Sequence, residues 1–376
     1  MKKIPVCEPL LNGNESKYVA EAIETNWISS SGKFIEAFEQ MFSSYCETDF
    51  GISCSNGTTA LHIALKALDI GPGDEVILPN FTLVVNANMI ILSGAKPVFV
   101  DVDKNTWCIN PDLIEEKITP RTKAIMVVHM YGHPCEMDSI NAIAKKHKLH
   151  VIEDAAQSHG ATYHNKKTGG LGHISTFSFY ANKIITTGEG GMVLTRDQTL
   201  AEKCRSLRNQ AHGQGTIRYI HETLGYNYRF SNVLAAIGLG QCEHIEKNVN
   251  KKRQIGHRYL ELLKDVSQIQ LPYEHSNVTN VYWMFGVVLK EHLKGKRDLI
   301  MQKLLDHGID TRSFFWPLNK QPVYQKDEYS FINTEGHYPV SEFLGHNGFY
   351  LPSGLGLSSD DQELVSDTLI KTLRSC

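Results

Sequence analysis

The stretch TFSFYANKIITTGEGG, residues 176–191, decides how the rest of the chain is read. Its β-branched and aromatic start, residues 176–179, predicts a strand, and two threonines and the glycine-rich turn of residues 188–191 follow. Between them stands Lys183, flanked by Asn182 and Ile184, where a solvated charge has little purpose. A lysine whose pKa is lowered by burial is the usual amine for a Schiff base. Taken alone, Lys183 reads as well as a surface charge. Ser178, five residues earlier, reads as well as a buried hydroxyl bonded to backbone as it does a phosphate ligand.

Upstream, VIEDAAQ at 151–157 puts Asp154 at the carboxyl end of an apolar strand, where open α/β sheets place ligands. A carboxylate buried there needs a cation such as a pyridinium nitrogen, although a helix N-cap is an equally open reading. Farther up, SNGTTALHIAL at 55–65 reads as a polar turn entering an amphipathic helix. Gly57 leaves the first helical amides open to a phosphate, or serves only as part of a cap. A phosphate cradle, an acid for a ring nitrogen and an amine for an aldehyde are together the needs of pyridoxal 5′-phosphate.

The segments around these sites alternate. Helices are predicted at 14–26, 33–45, 84–93, 111–118 and 138–146; strands at 50–54, 75–78, 97–100, 124–128 and 150–153. Nearly continuous apolar strands between helices imply an α/β domain, a mainly parallel sheet sandwiched by helices. A long helical pattern over 231–264 leads out of it. A strand at 281–289, a helix at 294–307, an extended run at 309–315 and a closing helix at 359–373 make the remainder α+β. The expected division is a large cofactor-binding domain, 1–245, and a smaller C-terminal domain, 246–376.

Composition removes other classes. A chain of 376 residues with 21% charged residues, a net charge of −3 and no basic block is a poor nucleic-acid ligand. Its eight cysteines form neither a CxxC pair nor a His/Cys cluster, which argues against a metal and for reduced thiols in the cytoplasm. Glu8 interrupts any signal peptide. The most apolar window, 83–92, contains Asn86 and Asn88 and falls far short of the roughly 18–20 residues of a membrane span. A soluble, cytoplasmic protein is expected.

At this point TNWISSSGKFIEAFE, GPGDEVILP, ITPRTKAIMVVHMYG and GYNYRFSNVLAAIGL join the segments above, and nearly the whole chain resembles the DegT-type nucleotide-sugar aminotransferases. These are fold type I enzymes that use pyridoxal phosphate, and the perosamine-forming branch is the nearest match. The resemblance implies that Lys183 forms the Schiff base and moves the proton, while Asp154 keeps the ring nitrogen protonated. It implies that Gln157 meets the ring's phenolic oxygen and that Gly57, Thr58 and Ser178 hold the phosphate. Asn227 would reach the phosphate of a neighbouring subunit with Arg229 alongside, in a homodimer with shared active sites. Trp316 and Asn319, in FFWPLN, would lie near the sugar.

Two positions depart from the family's pattern. Leu83 stands where relatives stack an aromatic on the ring, a loss of about 0.5–1.5 kcal/mol. Asn319 stands where many relatives have histidine. A branch that replaces the Schiff-base lysine with histidine and performs dehydration is disfavoured by Lys183. The implied reaction carries an amino group from L-glutamate to C4 of a nucleotide-linked 4-keto-6-deoxyhexose, GDP-4-keto-6-deoxymannose before dTDP- or UDP-linked or 3-keto sugars. The competing readings are a non-catalytic pyridoxal-phosphate-binding regulator and a dehydrogenase, the latter opposed by the lack of a GxGxxG after the first strand.

Overall fold

The structure, a computed structural model, describes residues 2–212, 219–221 and 223–375. Helices α1 (Glu15–Glu24) and α2 (Lys33–Tyr45) precede β1 (Phe50–Cys54), α3 (Gly57–Ala67), β2 (Glu75–Pro79), α4 (Val85–Leu92) and β3 (Lys96–Val100). The chain continues through β4 (Thr122–Val128), α5 (Met137–His147), β5 (His150–Asp154), the short strands β6 (Thr162–Tyr163) and β7 (Lys166–Lys167), then β8 (Ile174–Ser178) and β9 (Gly191–Thr195). Then come α6 (Gln198–Arg208), α7 (Asn232–Cys242) and α8 (Ile245–Leu263).

Seven strands form one sheet in the order β1-β9-β8-β5-β4-β2-β3, parallel except where β9 runs against both its neighbours. Alternation explains the apolar strands. Val76 and Leu78 pack with α3, α4 and α6, whereas Ile77 joins the opposite core with α2, α5 and α7; Ala124 and Met126 part from Ile125 and Val127 in the same way. Both faces are covered, so neither can be polar.

A second sheet contains β10 (Ile269–Gln270), β12 (Phe285–Leu289), β13 (Arg312–Ser313) and β14 (Gly348–Leu351), antiparallel in the order β10-β12-β14-β13. Here β11 (Val278–Thr279) leaves it to pair with β6. Helices α8, α9 (Arg297–Asp306) and α11 (Ser359–Arg374) supply Tyr259, Leu263, Ile300, Leu304, Val365 and Leu369 to its core, while α10 (Pro339–Asn347) leads into β14. The start of the chain lies on this sheet: Ile4 bridges Ile309, and Ser353 N–H donates to the Val6 carbonyl at 2.9 Å.

The expected helix at 111–118 is instead two 3-10 turns, Pro111–Leu113 and Glu115–Lys117. A segment this short gains too few bonds to repay helix nucleation. The helical run at 231–264 breaks between Cys242 and Ile245, and the strand expected at 281–289 pairs only from Phe285. Tyr282, at φ +49°, turns the backbone just before it. Among the described residues no helix is long and apolar enough to cross a membrane, and their seven cysteines are all free.

Candidate active site

Parallel register brings the ends of three strands together, because Asp154 lies opposite both Val128 of β4 and Thr176 of β8. Asp154 is 4% exposed and pairs with no lysine or arginine among the described residues. Its Oδ2 accepts from Asn86 Nδ2 at 2.7 Å and its Oδ1 from the Ala156 N–H at 3.0 Å. Asn86 is itself fully buried on α4 and accepts from the Thr82 hydroxyl at 3.2 Å. Gln157 is also buried. Its amide oxygen accepts the Tyr131 N–H at 2.9 Å, which leaves its NH2 as a donor.

Antiparallel pairing of β8 with β9 makes residues 179–190 a closed loop, and Lys183 sits on it. Its N–H donates to the Tyr180 carbonyl at 2.9 Å. The preceding carbonyl, of Asn182, accepts the Trp283 indole N–H at 2.8 Å and the Cys7 thiol at 3.6 Å. The residue is half-buried: Nζ lies 3.6 Å from the centroid of the Trp283 ring and donates to no acceptor among the described residues. Burial lowers the Lys183 pKa from 10.5 to about 7, and the charge of Asp154 opposes that fall. Lysine and carboxylate therefore lie within each other's electrostatic reach.

The remaining part comes from β1. Gly191 pairs with Cys54 on one side and Ser178 on the other, so the turn into α3 meets the end of β8. Asn56 caps the helix by accepting from the Thr59 N–H at 2.9 Å, and the amides of Gly57 and Thr58 ahead of it stay open. A Cβ at Gly57 would lie 2.8 Å from the Ser178 Cβ; only glycine lets this turn approach that serine.

The other expected residues have these surroundings. Leu83, between β2 and α4, is 46% exposed. Asn227 is exposed too, in a segment tied down by the Ser55 N–H donating to the Tyr228 carbonyl at 3.0 Å. Arg229 donates to Asn209 Oδ1 at 2.8 Å. Trp316 is 38% exposed, 4.6 Å from the His346 ring, and its indole donates to the Lys320 carbonyl at 3.2 Å. Asn319 is 0% exposed and its amide is spent within the chain: Oδ1 accepts from Asn80 Nδ2 at 2.8 Å, and Nδ2 donates to Glu342 Oε1 at 3.2 Å. It ties the FFWPLN loop to the end of β2.

Sequence reasoning passed over Asn86, Tyr131, Trp283 and Cys7. Asn86 did carry a signal, as a polar residue inside an apolar window, but it was read only as an interruption. Asn86→Ala is expected to destabilise the cofactor-free protein by about 1–3 kcal/mol, since it strips a donor from a buried carboxylate. Asn86→Asp, which sets two buried carboxylates together, should cost more. Urea midpoints of the two variants and the parent check the order.

These features fit pyridoxal phosphate: a buried carboxylate with no ion-pair partner among the described residues, a lysine amine without an acceptor, and open helical amides beside a serine. Comparison with known proteins agrees. Residues 9–370 match the DegT/DnrJ/EryC1/StrS aminotransferase family. The GDP-perosamine synthase of Caulobacter vibrioides is 43% identical over 374 residues, covering 99% of both chains. That of Escherichia coli O157:H7 is 42% identical, covering 98% of both. Among solved structures, DesV of S. venezuelae superposes with a TM-score of 0.91 at 32% identity, covering 99% of both chains. The chain belongs to the DegT/DnrJ/EryC1/StrS aminotransferase family.

Proposed function

We propose that this aminotransferase uses pyridoxal phosphate to move an amino group from L-glutamate to C4 of a nucleotide-linked 4-keto-6-deoxyhexose, turning GDP-4-keto-6-deoxymannose into GDP-perosamine. The observation that carries the chemistry is the Lys183 amine, without an acceptor on the loop that joins β8 to β9, beside the buried Asp154 at the end of the neighbouring β5. The choice of sugar is supported by the full-length similarity to GDP-perosamine synthases.

When bound, pyridoxal phosphate supplies an aldehyde that takes up amino groups and a ring that accepts electrons from the carbon losing its proton. The chain supplies the rest. Asp154 sets a negative charge against the ring nitrogen and is kept in place by Asn86 and the Ala156 amide. Gln157 turns its NH2 toward the phenolic oxygen. The Gly57 and Thr58 amides and the Ser178 hydroxyl hold the phosphate. With a pKa of about 7, Lys183 is poised near neutrality both to take a proton from the substrate carbon and to return it.

The assembly is a homodimer in which Asn227 of each chain reaches the other's phosphate and Arg229 lines the entrance. Exposed Trp27, Ile28, Leu83, Tyr180 and Leu224 give this reading an apolar surface to cover. Trp316, on the half-exposed FFWPLN loop, faces the sugar. The unit of residues 1–245 carries the cofactor, with 246–376 beside it.

L-Glutamate should bleach the visible absorbance of the cofactor-loaded protein. In a panel of GDP-, dTDP- and UDP-linked 4-keto and 3-keto sugars, GDP-4-keto-6-deoxymannose should lead in kcat/KM by about 10²-fold or more. A dTDP- or UDP-linked sugar turning over faster would overturn the sugar assignment and leave the transamination standing.

A further inference from the structure

We propose that Trp283 is a positioning residue for the reacting amine: its indole face is where the amine of Lys183 rests when free of the cofactor, and its N–H fixes the backbone that carries that lysine. This rests on Lys183 being the reacting amine, as read above. One indole makes both contacts. Its ring centroid lies 3.6 Å from Nζ, well inside cation–π range, and its N–H donates at 2.8 Å to the carbonyl immediately before Lys183.

The ring is held from behind. Trp283 is 5% exposed, and the Tyr131 ring lies 6.3 Å away at an interplanar angle of 30°. The residue before it, Tyr282, adopts φ +49° with its N–H bonded to Asn280 Oδ1 at 2.8 Å. A bulky residue in the left-handed region is costly, so it marks a place where the surrounding structure over-determines the backbone. Here the turn stops β12 short of the site and delivers the indole to the β8–β9 loop. Tyr131 also bonds Gln157 through its backbone, so the same group of side chains adjoins a second cofactor-facing residue.

The groups around Nζ leave the ring a distinct task. Asp154 from β5 favours the ammonium, whereas Cys7 from the chain start is a buried thiol with its pKa raised above 9 that donates to the Asn182 carbonyl, and Lys252 is felt by Cys7. His159 is fully buried, with neither ring nitrogen hydrogen-bonded, and burial beside Lys183 lowers its pKa to about 3, so it adds no charge. None of these groups accepts a hydrogen bond from the amine. The aromatic face is the surface the ammonium meets.

The test is competitive acylation of the full-length, cofactor-free protein across pH, read by peptide mass spectrometry at Lys183 and at the buried Lys252 in one sample. In Trp283→Leu the Lys183 midpoint should fall by roughly 0.5–1 unit, because the ammonium loses its aromatic partner. Trp283→Phe, which keeps a weaker ring and no N–H, should fall between Leu and the parent, while Lys252 stays put in both. In the loaded enzyme the acid limb of kcat should move to lower pH, with kcat falling more than KM changes. An unmoved or raised Lys183 midpoint in Trp283→Leu would overturn the proposal, as would equal shifts at Lys183 and Lys252. A Lys183→Ala enzyme that still transaminates would instead remove the reading of Lys183 and leave the labelling result intact.

Discussion

Lys183→Ala is expected to lower transamination by about 10³–10⁴-fold or more, because it removes the covalent amine and the proton carrier in one change. The visible absorbance of the loaded protein should change with it, and added methylamine should restore only part of the rate. Retention of more than a few per cent of the parent rate would end the assignment. The same lysine carries a stability signature. Its pKa is about 7 in the fold against an ordinary 10.5, so between those values the unfolded chain holds a proton that the fold releases. The cost of burying it is full below about pH 7 and fades as pH rises toward 10.5. Lys183→Met should therefore raise the melting temperature of the cofactor-free protein more at about pH 6 than at about pH 10.

Asp154→Asn is expected to separate function from stability. Transamination should fall by about 10²–10³-fold, since a neutral amide cannot hold positive charge on the ring nitrogen. The cofactor-free fold should lose little, because the substitute has the same shape and what goes is the attraction to Lys183, an amine with a pKa of about 7 that is only partly charged near neutral pH. The neighbours can adjust. If Asn86 turns its amide over, its oxygen accepts from the new NH2 and its own NH2 donates to the rotatable Thr82 hydroxyl that now bonds it. Because Asp154 raises the Lys183 pKa, its loss should also move the Lys183 labelling midpoint down. Kinetics within tenfold of the parent, or a large drop in melting temperature, would contradict this account.

The layered α/β architecture was legible because both faces of the sheet are covered, which forces apolar residues along Val76–Leu78 and Ala124–Val127 whatever their neighbours. Lys183 and Asp154 stood out as candidates for a related reason: a charge at the end of an apolar strand, or between aromatics and glycines on the loop that follows one, needs a chemical purpose. Strand β9 and helix α6 went unread. The antiparallel course of β9 follows from its partners, Ile52 of β1 opposite Val193 and Phe177 of β8 opposite Met192 among them, and not from its own composition.

Local order along the chain thus marked most strands of the seven-stranded sheet and most helix starts and singled out Lys183 and Asp154 as candidate amine and acid, since burial and hydrogen bonding impose those patterns over a few residues. Only the tertiary structure decided what surrounds them. Asn86 comes to Asp154 across 68 positions, and Trp283 comes to Asn182 across 101. It also decided that Asn319 turns inward to Asn80 while Leu83 faces out. Contacts between distant segments depend on strand order and crossing geometry, which leave no periodic trace in the residues that make them.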